Sequence, residues 1–167
     1  MSQATSFSEL YCEELKDLWS ANDQMVRALK KMVRRATHPK LKQMLTSSQE
    51  GITGHTALLK TLIANQGDKV SKEHCKGMEG LVTEALKHTI EEAPPKGPLL
   101  DAVIIAQYQR MTHYGITGFG TVAAFAMALD MADDNSQLKA AVKDMYVADE
   151  LMTELAEAAV NEEAADA

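Results

Sequence analysis

The sequence is poor in the residues that mark disulfide-rich, basic or membrane-spanning proteins. Its 167 residues include two cysteines, Cys12 and Cys75, too few for a disulfide framework or a cysteine-rich zinc site. Seventeen basic residues against 24 acidic ones give a net charge of −7, which argues against binding to nucleic acid or to an anionic membrane. No apolar run approaches the ~18 residues of a bilayer span. The N-terminal stretch lacks the basic and then apolar pattern of a signal peptide. We therefore expect a cytoplasmic protein.

Aromatic residues make up only 5% of the chain, and three of the four prolines fall in the linker at 93–98. Elsewhere apolar residues recur at helical spacing, and no alternating stretch rich in β-branched residues indicates a strand. The pattern predicts four long helices, which begin near Ser6, Pro39, Pro98 and the turn at 133–136, and a short helix over about 72–92.

Several local signals predict where these helices begin and end. Ser6 and Glu9 have the spacing of a capping box, and Gly67 suits a left-handed cap after the second helix. The segment 133–136 offers N-cap residues for the last long helix. The long helix that begins near Pro98 should end near Asp130, and the small, acidic tail after Asn161 should fray.

The joint between the first two long helices is short, and so is the joint between the last two. Each of these pairs is therefore antiparallel. The segment with the short helix is then one long crossover between two hairpins. This arrangement predicts an all-α, ferritin-like four-helix bundle with an extra helix in the crossover. We expect one domain over residues 1–167, with an ordered core of about 7–160.

Polar and small residues interrupt the apolar stripes near the middle of the long helices. Asn22 falls on the stripe of helix one, and Ser48 and His55 fall on that of helix two. Mid-helix glycines such as Gly51 and Gly115 each cost about 0.5–1 kcal/mol relative to alanine, and therefore need a reason. Close helix approach, a space for a ligand and the loss of a bulky polar group are three possible reasons.

A di-iron carboxylate bundle requires about six inward-facing ligands, mainly Glu and His. The sequence has no Glu and His three residues apart on a buried face. Glu50, His55, His113, Asp144 and Asp149 are scattered and give at most an incomplete set. No pairing of nucleophile and base, or of acid and base, can be placed in one site, so we predict no enzyme.

The remaining unusual side chains have ordinary structural interpretations. His113 should face a neighbouring helix or solvent, and Cys75 should be a small buried residue in the crossover. Tyr108 and Tyr114 are interpreted as packing or interface residues.

Four stretches together resemble a known family. They are WSANDQMVRALKKM, HCKGMEGL, QRMTHYGITGFGT and ADELMTELA. The chain resembles the YciE/YciF-like bacterial proteins, which are ferritin-like and stress-associated, from about Phe7 to Asn161. The resemblance implies a ferritin-like bundle that is often dimeric, with a di-metal site in the members that retain the ligands.

This chain departs from the family at the positions of those ligands. The resemblance places Glu at Asn22, His and Glu at Ser48 and Gly51, Glu at Thr112 and Gly115, and Glu at Met145. A pair of divalent cations without balancing carboxylates is strongly unfavourable in a bundle core. We therefore predict that these six residues line a vestigial site that holds no metal or other cofactor.

Two functions remain open at this point. The first is a non-enzymatic, metal-free protein with a structural or interaction role in a stress response, homodimeric and with an unidentified protein partner. The second is a divergent metal- or small-ligand-binding protein that uses the space left by the missing carboxylates. In the second case we expect a central cavity, with His55, Glu50, Asp144 or Asp149 supplying polar contacts.

Overall fold

Six helices and two wider, π-helical turns form nearly all of the structure, a computed structural model that describes residues 4–166. The helices are α1 (Phe7–Arg35), α2 (Pro39–Asn65), α3 (Lys76–Leu86), α4 (Pro98–Ala128), α5 (Ala132–Leu155) and α6 (Asn161–Ala165). One π-helical turn, Lys87–Glu91, extends α3, and the other, Ala156–Val160, joins α5 to α6. None of the described helices combines the length and apolarity that a bilayer crossing requires.

The helices form the predicted pair of antiparallel hairpins. Short turns at residues 36–38 and 129–131 join α1 to α2 and α4 to α5. The hairpins pack with α1 against α4 and α2 against α5, and α3 covers α1 and α4 from the crossover. The all-α, ferritin-like bundle expected from the helix lengths and the linker is therefore confirmed.

Most helix ends follow the local signals. Ser6 Oγ accepts a hydrogen bond from the Glu9 backbone N–H at 3.1 Å, as in a capping box, but the Glu9 carboxylate accepts from the Thr5 N–H at 2.7 Å. Only half of the predicted box is thus present. Gly67, with a φ of +71°, follows α2 as expected, and Pro39 occupies its first turn.

Two predictions about the second hairpin are wrong. Helix α5 begins at Ala132, before the predicted cap residues, because Asp134 and Asn135 bond to other helices. Asp134 accepts a hydrogen bond from Tyr11 at 3.0 Å, and the Asn135 side chain donates to the Ala123 carbonyl at 2.7 Å. The tail after Asn161 is helical, because α6 packs against α4.

The apolar core is divided into two clusters, one toward each end of the bundle. One contains Tyr11, Leu15 and the end of α2, together with the second half of α4. The other contains the second half of α1, the start of α2 and the first half of α4. Between them the long helices bury polar residues, including Asn22, Thr56 and Thr112. This polar layer is where the candidate site lies.

Candidate binding cavity at the bundle centre

A cavity of about 410 Å³ occupies the polar layer and is lined by residues from α1 through α5. All six residues singled out in the sequence line it: Asn22, Ser48, Gly51, Thr112, Gly115 and Met145. The structure thus brings together, in one place, positions spread over 124 residues of sequence. That the cavity replaces a metal centre remains a prediction.

Two hydrogen-bonded groups form part of the polar wall. The Asn22 side-chain amide donates to Thr56 Oγ1 at 3.2 Å, and Thr56 Oγ1 donates to the Ile52 carbonyl at 3.0 Å. The hydroxyls of Ser48 and Tyr108 lie 2.8 Å apart and share one hydrogen bond. Every one of these groups is uncharged. They can accept or donate hydrogen bonds but supply no negative charge.

Thr112 differs from the other polar residues of the wall. It is only 4% exposed, and its Oγ1 has no hydrogen-bond partner among residues 4–166. A helical threonine commonly bonds to a carbonyl one turn back, but Thr112 does not. A buried, unpaired hydroxyl costs about 1–3 kcal/mol. One buried hydroxyl beside the cavity therefore makes no hydrogen bond within the described chain.

Two titratable side chains of the wall, His55 and Asp144, form a pair. His55 Nε2 lies 3.5 Å from Asp144 Oδ2, and the His55 ring also packs 5.6 Å from the Phe119 ring, centroid to centroid. The Asp144 side chain is 73% exposed, so this pair faces solvent on one side. Glu50 and Asp149, the other predicted polar contacts, do not line the cavity.

The donor set does not fit a pair of divalent cations. Two of the six positions are glycines without a donor atom, and Met145 offers a soft thioether, which iron and manganese disfavour. Within the described part of the chain, no three His, Cys, Asp or Glu side chains come together in a group that could hold a metal ion. Uncharged amide and hydroxyl groups cannot balance the charge of two such ions.

Methionine side chains from α1, α2, α3 and α5 supply much of the apolar wall: Met25, Met44, Met78, Met145 and Met152. Methionine is unbranched and polarizable and fills irregular space well. Met78 reaches the cavity from the crossover helix.

The wall also includes residues that the sequence analysis missed. Lys40, Met44 and Ser47 line the cavity from α2, and Leu151 lines it from α5. Met44 lies four residues before Ser48, and Ser47 lies four residues before Gly51; this spacing was the available signal for those two, because such positions share a helix face.

The glycines have two different surroundings. A Cβ added to Gly115 would lie 3.1 Å from the Met145 sulfur, and one added to Gly118 would collide with the Leu18 side chain. Close helix packing therefore explains Gly118, whereas Gly115 is in tight contact only with the flexible end of Met145. At Gly51 an added Cβ would meet nothing within 4 Å, so close packing does not explain that glycine.

His113 and Cys75 lie in the surroundings that the sequence predicted. His113 is exposed and bonds to Asp149, with 2.9 Å between Nε2 and Oδ2. Cys75 is fully buried, accepts a hydrogen bond from the Met78 N–H at 3.4 Å and lies 3.0 Å from the Tyr114 hydroxyl. Burial raises the pKa of the Cys75 thiol, so it stays protonated at neutral pH.

Comparisons with known proteins agree with the fold and cover most of the chain. Residues 6–165 match the family model described as "Domain of unknown function (DUF892)". Protein YciF of Escherichia coli (strain K12) is 29% identical over 160 residues, which are 95% of each chain.

Two solved structures are similar to this one. The E. coli stress protein YciF superposes with a TM-score of 0.87 at 30% identity, covering 95% of this chain and 99% of that one. YcfI from Rhodopseudomonas palustris, for which a structural role has been suggested, gives 0.85 at 30% identity, covering 92% and 97%. The chain therefore belongs to the DUF892 family of YciF-like proteins.

Proposed function

We propose that this protein is a metal-free, non-enzymatic bundle protein of the YciF type, with a structural or interaction role in a stress response. The stress assignment is supported by the E. coli relative, which is described as a stress protein. The structural role is supported by the suggestion made for the R. palustris relative. A cytoplasmic location is supported by the free thiols of Cys12 and Cys75, since such thiols are usual in a reducing compartment.

The single observation that carries the proposal is that the six positions singled out at the bundle centre are uncharged. The six positions that would hold a di-metal centre supply an amide, two hydroxyls, a thioether and two bare glycines. The cavity also lacks a nucleophile activated by a base. In the described residues the His55 ring pairs with Asp144, and no serine, threonine or cysteine bonds to that ring.

Metal binding tests this proposal directly. Protein purified without chelators should contain far less than one iron, manganese or zinc per chain by elemental analysis. A metal present at 100 times its Kd would stabilise the fold by about 2.7 kcal/mol. That corresponds to a rise in Tm of about 5–10 °C for a chain of this size. We expect no such rise with Fe²⁺, Mn²⁺ or Zn²⁺.

A variant with restored carboxylates provides the positive control: Asn22→Glu, Gly51→Glu, Thr112→Glu and Met145→Glu combined. Its Tm should rise with added metal, because four carboxylates supply hard oxygen donors and the missing charge. Two metal ions bound by the natural protein at full occupancy would refute the proposal, whatever the variant does.

We also propose that the protein is a homodimer. Large apolar side chains on α5 outside the cavity wall support this, since Tyr146 and Val147 are each about half exposed. Burial of such residues against a second copy would be favourable. Light scattering should give about twice the chain mass of 18.2 kDa. A monomer at micromolar concentration would contradict this assignment and leave the metal-free proposal intact.

A further inference from the structure

We propose that the central cavity binds a small, uncharged and largely apolar molecule that carries one hydroxyl or carbonyl group, such as a phenol. The inference rests on the proposed metal-free centre, because two bound cations would occupy the same space. It goes beyond that proposal by assigning the cavity a ligand of defined chemistry.

The size of the cavity supports a ligand rather than a packing defect. An apolar cavity of about 150 Å³ is already large enough to bind benzene, and ligand pockets in proteins span about 300–1,000 Å³. At about 410 Å³ the cavity has room for a molecule of one or two fused rings. The space is open to solvent between α2 and α5, so a small molecule could reach it without unfolding of the bundle.

The composition of the wall selects for an apolar body. Met25, Met78 and Met152 are all nearly fully buried and lie on three different helices around the cavity. Methionine adapts its shape to a ligand and makes favourable contacts with aromatic rings. The wall is thus suited to a flat or irregular apolar molecule.

The same wall selects for one hydrogen-bonding group. The Thr112 hydroxyl is buried and has no partner in the described chain. Ser48 and Tyr108 hold two hydroxyl protons but form one bond with each other, so one proton remains available to a ligand oxygen. A hydroxyl or carbonyl group on the ligand would accept the free proton of the Ser48–Tyr108 pair, and a rotation of the Thr112 side chain would bring its hydroxyl to the same group.

The charges of the wall disfavour an ionic ligand. Lys40 and Asp144 are exposed at the solvent side, and His55 is already paired with Asp144. The deep wall around Asn22 and Thr112 has no charged group to compensate a carboxylate or an amine. Burying an uncompensated charge there would be strongly unfavourable.

Exposed residues of the wall show where a ligand enters. Lys40, Ser47 and Gly51 of α2 and Asp144 and Leu151 of α5 are exposed and line the cavity. The entrance therefore lies between α2 and α5. Gly51 leaves open space at this entrance, because an added Cβ would meet nothing within 4 Å.

Three probes with one ring system test the ligand class by calorimetry: naphthalene, 1-naphthol and 1-naphthoate. We expect 1-naphthol to bind about fivefold more tightly than naphthalene, the difference that one net hydrogen bond makes. The anion 1-naphthoate should bind at least about tenfold more weakly than 1-naphthol. Failure of both uncharged probes to bind up to their solubility limits would overturn the inference.

The variant Thr112→Val tests the polar contact. It keeps the side-chain shape and removes the unpaired hydroxyl, so the fold should be retained. Affinity for 1-naphthol should fall about fivefold, while affinity for naphthalene should not change. Equal effects on the two probes would overturn the assignment of Thr112 as the hydrogen-bonding group.

The variants Gly51→Leu and Gly54→Leu form a matched pair for the entrance. Both glycines are exposed on α2, and a Cβ added to either meets nothing within 4 Å, but only Gly51 lines the cavity. Both variants should raise Tm, since leucine favours helix over glycine. Only Gly51→Leu should weaken binding of 1-naphthol, by at least about tenfold.

If neither Thr112→Val nor Gly51→Leu weakens binding of 1-naphthol, the probe binds elsewhere and the inference is overturned. Elemental analysis of the same samples separates this result from failure of the proposed function. Bound metal in the natural protein refutes the proposed function together with the inference. If the protein is metal-free but binds neither uncharged probe, only the ligand proposal is refuted.

Discussion

Gly118 and Gly51 are both mid-helix glycines, yet their surroundings predict opposite effects of the same substitution. A Cβ at Gly118 collides with buried Leu18, so Gly118→Ala should destabilise the fold by about 1–3 kcal/mol. A Cβ at Gly51 meets nothing, so Gly51→Ala should stabilise it by about 0.5–1 kcal/mol through helix propensity. Urea unfolding measures both values. Changes of the same sign would contradict this account of the two positions.

Asp101 is the most fully bonded carboxylate of the described chain. It is 2% exposed and lies in the first turn of α4, where it accepts hydrogen bonds from the Thr37 N–H at 2.7 Å and the His38 N–H at 2.8 Å. The Thr37 hydroxyl also donates to it at 2.5 Å. The carboxylate thus fixes the turn between α1 and α2 against the second hairpin.

Replacement of this carboxylate should be costly. Asp101→Ala leaves two backbone N–H groups and one hydroxyl without their acceptor, so we expect a loss of about 2–4 kcal/mol in the free energy of unfolding. The exposed first-turn residue Asp133 of α5 provides the control, and Asp133→Ala should change stability by less than about 1 kcal/mol. Equal losses in the two variants by urea unfolding would show that the buried bonds contribute nothing.

At the same scale, the sequence indicated the location of the site better than its contents. Asn22, Ser48 and Thr112 were placed by their resemblance to ligand positions, and the cavity joins them. The missing partner of Thr112 could not be predicted, because it depends on which rotamer and which neighbours the packed helices allow. Met78 also escaped prediction, since its helix belongs to the crossover.

At the scale of elements, propensity predicted the existence of the helices and tertiary contacts decided some of their ends. The segment 133–136 has the composition of a helix cap, but Tyr11 and the Ala123 carbonyl bond to two of its side chains. Residues so engaged cannot cap the helix start. Bonds to distant helices cannot be read from a local sequence pattern. The predicted start of α5 was therefore late by several residues.

The ion pair between Lys16 and Asp68 joins α1 to the loop after α2 and makes the stability of the fold depend on pH. Lys16 Nζ lies 2.7 Å from Asp68 Oδ2, and the hydrogen bond from Lys16 is the main cause of the lowered pKa of Asp68. A lowered carboxyl pKa adds stability above the unfolded value near 3.9, and this stability is lost as pH falls through the folded pKa.

The size of this effect should be small, because the Asp68 side chain is 41% exposed and solvent screens the pair. We expect Asp68→Asn to lose about 0.5 kcal/mol at pH 6 and less than that at about pH 2, because protonation of Asp68 removes the charge that the pair needs. Urea unfolding at the two pH values measures the difference. Glu150→Gln, an exposed change on α5, should show no comparable dependence, and a dependence equal to that of Asp68→Asn would refute the assignment.

At the scale of the molecule, linker lengths were enough to predict two hairpins and their crossover, because short joints leave only an antiparallel path. They were not enough to predict whether the helices close together around the small side chains at the centre. That outcome depends on how far α2 and α5 can approach each other. Lys40, Met44 and Leu151 line an open space between them, so the helices did not close over it.

The division of the core into two clusters has a practical consequence for protein engineering. Each end of the bundle contains its own large buried side chains, such as Tyr11 and Phe119 at one end and Met32 and Leu100 at the other. Most of the buried apolar side chains that stabilise the fold thus lie away from the cavity. The residues that line the cavity can therefore be replaced by residues with new donor atoms or new shapes while the two ends keep the bundle folded.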